Sequence, residues 1–346
     1  MGARLPTGAR RWLSREGDPL PYFGSCIVVV LGAAGWIVLS HVESPVLLAL
    51  LVPAMIYAIF ALSVGFAIKQ NGWVSFGHAV FFGLPAYATA IAFIKGGLSP
   101  ELAVIGAVLA AAALAFLMAL VIGRVSGIAL GMLTLAVGQG FYELAMRMRA
   151  VGGSDGLNVN GPDSLFGLSG SVFLNRATMF AVAWATLLVI TLGVEIFIRS
   201  PYGRLTEAIR DNEDRERFLG YRTLPHRAVV FGISGLIAAV GGVLSTLSNG
   251  FVSPDLLHWS SSGTALIMAL LGGVTRAWGP ILGAVAYIVL RDYLGDMTEH
   301  WLAVVGAALI VVVVTFPAGL SGLLLRLFVR GPRRRAPALA AKEREG

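Results

Sequence analysis

The residues able to do chemistry in this chain are few and unevenly placed. Residues 199–227, RSPYGRLTEAIRDNEDRERFLGYRTLPHR, hold seven arginines and five acids. The histidines (His41, His78, His226, His258 and His300) are scattered, and the one cysteine is Cys26. No G-x-x-x-x-G-K-[ST], H-E-x-x-H or G-x-S-x-G pattern occurs, so the residues for phosphate cradling, zinc proteolysis and serine hydrolysis are missing. No metal-ligand spacing appears, and one cysteine makes neither an internal disulfide nor a thiolate cluster. The pattern disfavours catalysis and leaves docking, hinging and passage as the chemistry to explain.

Two smaller polar features lie outside the charged island. Residues 72–87, GWVSFGHAVFFGLPAY, run from glycines and serine into an apolar stretch containing His78. A glycine-rich entry into a span predicts a broken helix beside a translocation path, with an N-terminus able to receive a carboxylate. A histidine inside a span marks a functional position; the plainer reading is a hydrogen-bonded core histidine. Residues 152–157, GGSDGL, form a tight turn by composition.

The elements that must position these residues are membrane helices. The chain has 346 residues, 57% hydrophobic and 13% charged, with a mean hydropathy of +0.80. That excludes an ordinary soluble domain and predicts an all-α polytopic membrane protein. Alternating ten-residue segments, the mark of a membrane barrel, are absent from the sequence. Spans are expected at 22–40, 46–67, 74–94, 101–122, 127–146, 176–198, 228–248, 262–275, 277–294 and 300–318. The 262–275 segment is short and glycine-rich, so 262–294 is either two spans or a re-entrant hairpin, and the total is eight to ten. Gly123, Gly127 and Gly131, like Gly279 and Gly283, repeat at four-residue spacing and are expected to pack helices closely.

Charge sets the orientation. With the N-terminus inside, every Lys and Arg falls inside except Lys95, Arg147, Arg149, Arg176 and Arg291. The expected parts are a cytoplasmic basic segment 1–21, a transmembrane domain 22–318 with the island 199–227 inside, and a basic, partly disordered cytoplasmic tail 319–346. The first span reads as uncleaved, because no A-x-A site follows it. The tail cluster Arg333-Arg334-Arg335 is suited to anionic lipid. Net charge is +7, yet there is no basic face with stacking aromatics, so nucleic acid is not an expected partner.

Within the island, Ser200-Pro201 reads as a helix start. Leu205, Ala208, Ile209 and Asn212 form a modest apolar stripe. Glu213 and Arg217 stand at i,i+4, as do Arg210 and Asp214 in the reverse order. Gly220 is placed to end the helix, and Pro225 to block its continuation. One short amphipathic helix, lying between the sixth and seventh spans, is expected.

The ordered set of motifs resembles the permease subunits of bacterial ABC importers for branched-chain amino acids, of the LivM type, whose relatives include urea and amide permeases. The resemblance runs from about residue 46 to 318. It is carried by Ser75-Phe76-Gly77-His78-Ala79, Thr134-Leu135-Ala136-Val137-Gly138, and the 152–157 turn. It continues through Ser200-Pro201-Tyr202-Gly203-Arg204, Ala208-Ile209-Arg210, Asn212-Glu213 and Leu219-Gly220. Gly250-Phe251-Val252-Ser253-Pro254, Leu271-Gly272-Gly273 and Trp278-Gly279-Pro280-Ile281-Leu282-Gly283 close it. The chain departs from the pattern at 214–218, where alanines are usual, at Gln139, where glutamate is common, and at Pro85.

The resemblance implies that the island seats on an ATPase subunit through Tyr202, Gly203, Arg204, Ile209, Arg210, Glu213 and Gly220. It implies a translocation path touching Gly77, His78, Phe81, Gly138, Gln139 and Gly156. The implied partners are a second permease subunit, two ATPase subunits, an extracytoplasmic solute-binding protein and membrane lipid. ATP and Mg would be bound by the ATPase subunits, and no cofactor by this chain. The implied location is the bacterial inner membrane, with both termini cytoplasmic. An ion-coupled secondary transporter would place acids at the membrane midplane, whereas Glu143, Glu195 and Asp292 fall near span ends.

Overall fold

Proline at the first helical position and glycine just past the last set several of the helix boundaries. The structure, a computed structural model, describes residues 44–295 apart from 97, 126, 160, 163, 171, 172 and 174. It also describes 303–307, 319–328 and isolated positions at 32, 35, 297, 300, 310 and 315. The expected segment 1–21, most of the spans 22–40 (with Cys26) and 300–318, and the basic run after 328 lie outside the described residues.

The helices in chain order are α1 (Pro45–Asn71), α2 (His78–Lys95), α3 (Pro100–Ile122), α4 (Ile128–Arg147) and α5 (Arg176–Arg199). The island follows as α6 (Pro201–Asp211) and α7 (Glu213–Phe218). Then come α8 (Thr223–Asn249), α9 (Trp259–Gly272), α10 (Gly279–Gly295) and α11 (Gly319–Phe328). Six of them, α1 to α5 and α8, are long and apolar enough to cross a membrane. The protein is thus a multi-pass, all-α membrane protein.

Helices α1 and α8 lie at the centre and run antiparallel. The Asn71 side-chain amide donates to the Arg227 carbonyl at one end of the pair. Further in, Ser234 Oγ donates 2.8 Å to the Ser63 carbonyl. Helix α2 runs alongside α8 in the same direction, with Gly242 against Phe82 and Thr246 bonded to the Ala86 carbonyl. A side chain at Gly242 would collide with the Phe82 carbonyl, so close approach requires glycine there. Helices α3, α5, α9 and α10 pack around this core, α10 meeting α1 where Pro280 fills the space beside Gly65.

Both central helices are 27 residues long and end in the same pattern, Asn-Gly-aromatic-Val-Ser, at residues 71–75 and 249–253. Gly72 (φ 70°, ψ 12°) and Gly250 (φ 61°, ψ 16°) take the same left-handed cap. Because the helices are antiparallel, these two turns sit at opposite ends of the molecule. After each, the chain turns back and starts a helix below the end it has just reached.

Helix α2 therefore begins inside the molecule. His78, its first residue, bonds to Ser234, eleven residues along α8, about 16 Å from the start of that helix. That is about half of a ~30 Å hydrocarbon core. The expected span 74–94 is corrected accordingly, since residues 74–77 are not helical. Helix α9 begins at Trp259 rather than 262, and Ser262 lies level with Ala79, whose N–H it accepts at 2.7 Å.

The turn joining α9 to α10 comes back to the island end, where Lys69 Nζ donates 3.0 Å to the Thr275 carbonyl. The hairpin is locked by backbone approach, with Gly283 against the Met268 carbonyl and Gly272 against Gly279. The expected packing role of Gly279 and Gly283 is found. The Gly123, Gly127, Gly131 series is not one helical face, because Gly123 caps α3 and Gly127 precedes α4.

Candidate functional site

The island is two helices joined by one extended asparagine. Ser200 Oγ accepts the Gly203 N–H at 3.0 Å, and Pro201 occupies the first position of α6. Asn212 is extended (φ −155°, ψ 91°) and ends α6. Its side chain accepts the Arg215 N–H at 3.0 Å and so starts α7. Glu213, Asp214 and Glu216 fill the first turn of α7, where acids favour the positive helix end. The single expected helix is therefore corrected to a pair. The break takes Asp214 away from Arg210, which bonds to Asp211 instead at 2.7 Å. The Glu213–Arg217 pair forms as expected, at 2.6 Å.

The face that α6 buries also differs from the expected stripe. Gly203, Thr206 and Ile209 are buried, whereas Asn212 is exposed. The reason is polar: α6 sits on the last turn of α1. Thr206 Oγ1 lies 2.5 Å from the Gln70 side-chain amide. Lys69 pairs with Glu207 at 3.1 Å, and an Arg210 guanidinium nitrogen donates to the Lys69 carbonyl. Tyr202 stacks on His226 at 5.3 Å, and burial pushes its phenol above its ordinary pKa.

Helix α7 is fastened to the first turns of α8. Glu213 is shared between Arg217, Thr223 at 2.7 Å and Arg227 at 2.9 Å. Gly220 (φ 93°) stands just past the end of α7, where a glycine is expected to end the island's helix. Pro225 lies past the island's helices, in the first turn of α8, where no intrahelical N–H bond is lost. Arg204 points outward and exposed, as do Arg215, Phe218 and Leu219; Phe218 is 93% exposed.

The second candidate region is the break between α1 and α2. Phe76 N–H donates to Thr134 Oγ1 at 3.1 Å, and Thr134 donates on to the Gly131 carbonyl at 2.8 Å. Gly77 lies against Thr134, and a Cβ on Gly138 would stand 3.3 Å from the Gly77 Cα. Beside these contacts, between the break and the first turns of α4, lies a cavity of about 420 Å³ lined by Trp73, Val74, Phe76, Ile128, Gly131 and Leu135 among others. His78 is fully buried. Ser234 has one proton, which goes to the Ser63 carbonyl, so His78 Nε2–H donates to Ser234 Oγ at 2.8 Å. His78 Nδ1 is then a bare acceptor with no protein donor. The Phe81 and Phe231 rings meet the imidazole edge-on.

Of the expected path residues, the structure brings Gly77, His78, Phe81 and Gly138 together, with Gln139 beside them on α4. Gly156 lies elsewhere, at the end away from the island. There the strand Leu157–Asn158 pairs antiparallel with Phe251–Val252. Sequence reasoning missed Lys69, Gln70, Trp73, Thr206 and Arg227, which hold the island to the break. The available signal was the polar run Lys69-Gln70-Asn71 at the end of an apolar span. Among the described residues no group of three or more His, Cys, Asp or Glu is arranged to hold a metal ion.

Comparison with known proteins completes the site. The chain is 27% identical over 287 residues to the high-affinity branched-chain amino acid transport system permease protein LivM of Salmonella typhimurium, covering 77% of this chain and 68% of the relative. LivM of Escherichia coli is 28% identical over the same shares. The permease protein LivH of Salmonella typhimurium is 31% identical over 163 residues, 46% of this chain and 52% of the relative. No solved structure matches. The family described as branched-chain amino acid transport system / permease component matches residues 46–314, most of the chain with both the island and the break inside it, and the chain belongs to that family.

Proposed function

We propose that this protein is the permease subunit of an ATP-driven importer that carries branched-chain amino acids across the bacterial inner membrane. The observation that carries the reading is the island: a charged pair of capped helices, bonded on one face to α1 and α8 and open on the other. A rigid, charged, externally open block on a membrane protein is suited to receive force from a soluble ATPase. Tyr202, Gly203, Arg204, Ile209, Arg210, Glu213 and Gly220 form or hold that block, and the island end is cytoplasmic in this reading. Both termini are cytoplasmic as well, and eight to ten spans are made once 22–40, α9, α10 and 300–318 are counted.

The path in this reading passes the break before α2, touching Gly77, His78, Phe81, Gly138 and Gln139, with Gly156 at the entrance. The apolar walls of the neighbouring cavity suit a branched aliphatic side chain. A second permease subunit, two ATPase subunits and an extracytoplasmic binding protein complete the assembly, with ATP and Mg on the ATPases. Ion coupling is disfavoured by charge: among the described residues the buried carboxylate is Glu216, in the island rather than in a span.

The test is leucine uptake into vesicles holding the assembled complex, with ATP supplied and the proton gradient collapsed. Uptake is expected to continue. Uptake that stops without the gradient, despite ATP, overturns the reading.

A further inference from the structure

The Arg227 side chain touches both the island and the break. Arg227 stands one turn into α8 with its side chain 10% exposed. Its Nη1 lies 2.9 Å from Glu213 Oε2 in α7, and its Nη2 donates at 3.4 Å to the Ile209 carbonyl in α6. Its guanidinium carbon lies 5.7 Å from the ring centroid of Trp73, within cation–π range. Its Nε is buried without a hydrogen-bond acceptor. The Arg227 carbonyl accepts the Asn71 amide at 2.9 Å.

Trp73 carries the contact inward. Its ring meets Phe231 at 5.7 Å, and Phe231 meets His78 at 5.1 Å. A side chain at Gly123 would strike the indole, so the ring is seated on α3 as well. Packed contacts therefore run without a gap from Glu213 through Arg227, Trp73 and Phe231 to His78, the first residue of the half-helix α2.

We propose that Arg227 is a positioning residue that couples displacement of the island to the break before α2, by holding Glu213 and the Trp73 indole at once. The proposal rests on the island being the ATPase-facing block and adds the internal link. Arginine is suited to it for physical reasons. A guanidinium stays charged, offers several N–H groups in one plane to Glu213 and Ile209, and keeps a flat face for the indole. Glu213 is also held by Arg217 and Thr223, so a shift of α7 is passed to Arg227 rather than absorbed by rotation of the carboxylate.

The test uses the whole importer in liposomes, with leucine uptake and ATP hydrolysis measured on the same preparation. Arg227→Met is expected to keep hydrolysis within about twofold of the unaltered complex and to lower uptake per ATP about tenfold. Trp73→Leu is expected to give the same loss, and the two together no more than either alone, as for members of one chain of contacts. Arg227→Lys keeps the charge without the flat face and is expected to fall between. If Arg227→Met does not accumulate in membranes, Arg227→Lys and Trp73→Phe carry the same comparison. Parallel loss of uptake and hydrolysis, or additive losses in the double variant, overturns the link. An unaltered complex that hydrolyses ATP and never takes up leucine overturns the function beneath it, and the link with it.

Discussion

Thr206 Oγ1 stands 2.5 Å from the Gln70 side-chain amide and 2.9 Å from the Gly203 carbonyl. Thr206 donates its one proton to Gln70 Oε1, a separation that fits an O–H···O bond, with the Gly203 carbonyl close beside it. That bond fastens α6 to the last turn of α1. Thr206→Val keeps the shape and removes the hydroxyl, leaving a buried amide unpaired. We expect a loss of about 1–3 kcal/mol in unfolding of the purified protein, with uptake reduced and membrane insertion unchanged. Gln70→Leu combined with Thr206→Val is expected to cost less than Thr206→Val alone.

Asn212 caps α7 while it ends α6. Asn212→Ala removes the acceptor for the Arg215 N–H and is expected to cost about 1 kcal/mol of local stability. Hydrogen exchange reads it directly: the Arg215 and Glu216 amides exchange faster while those in α8 are unchanged. Equal protection in the variant would count against the shared cap.

Arg210 is held by Asp211 and by the Lys69 carbonyl, on the seam between island and span. Arg210→Glu places an acid beside Asp211 and Glu207. Insertion into the membrane is expected to be unaffected, while ATP hydrolysis proceeds with uptake lowered several-fold. Uptake equal to that of the unaltered protein would argue against a docking and coupling role for this face.

Ser234 bridges His78 and the Ser63 carbonyl. Ser234→Ala leaves a buried N–H and a buried carbonyl together, at a cost of about 1–3 kcal/mol. His78→Leu combined with Ser234→Ala is expected to be less destabilising than the sum of the two, as measured by thermal unfolding in detergent.

Gly242 lies under the Phe82 carbonyl, with no room for a side chain. Gly242→Val is expected to cost about 1–3 kcal/mol or more, because rigid backbone opposes it. The yield of folded, membrane-inserted protein checks this. Gly263→Ala, at a half-buried position of α9 with open space for a Cβ, is expected to be neutral.

Much of the architecture follows from local chemistry that a sequence displays openly. Apolar runs of span length gave α1 to α5 and α8 to within a few residues, and Ser200-Pro201 gave the start of α6. The errors have one kind of cause. Asn212 looked like part of a stripe because its side chain was assigned to a face; its real partner is a backbone N–H three residues on. The acids after it were the legible sign of a new helix start. His78 reads as a residue inside a span, whereas Phe76 and Gly77 just before it are held by Thr134, which is distant in sequence. Arg227 looked like the last charge of a loop, and only packing against Trp73, Glu213 and Asn71 shows what it holds. Contacts between distant segments leave no periodic trace, so the links across the site were the part that sequence patterns did not carry.

The duplicated Asn-Gly-aromatic-Val-Ser turn supplies its own internal comparison. Gly72 and Gly250 share nearly the same backbone angles although their surroundings differ, so the turn's shape is encoded in the five residues themselves. What differs is the grip. At one copy the aromatic residue is Trp73, bound by Arg227, packed on Phe231 of α8 and seated at the end of α3. At the other it is Phe251, partly exposed and drawn into a two-residue ladder with Leu157 and Asn158. One backbone shape thus serves two settings, packed on an arginine and buried helices at one face and paired in a short ladder at the other, and the asymmetry lies in what each copy has to hold.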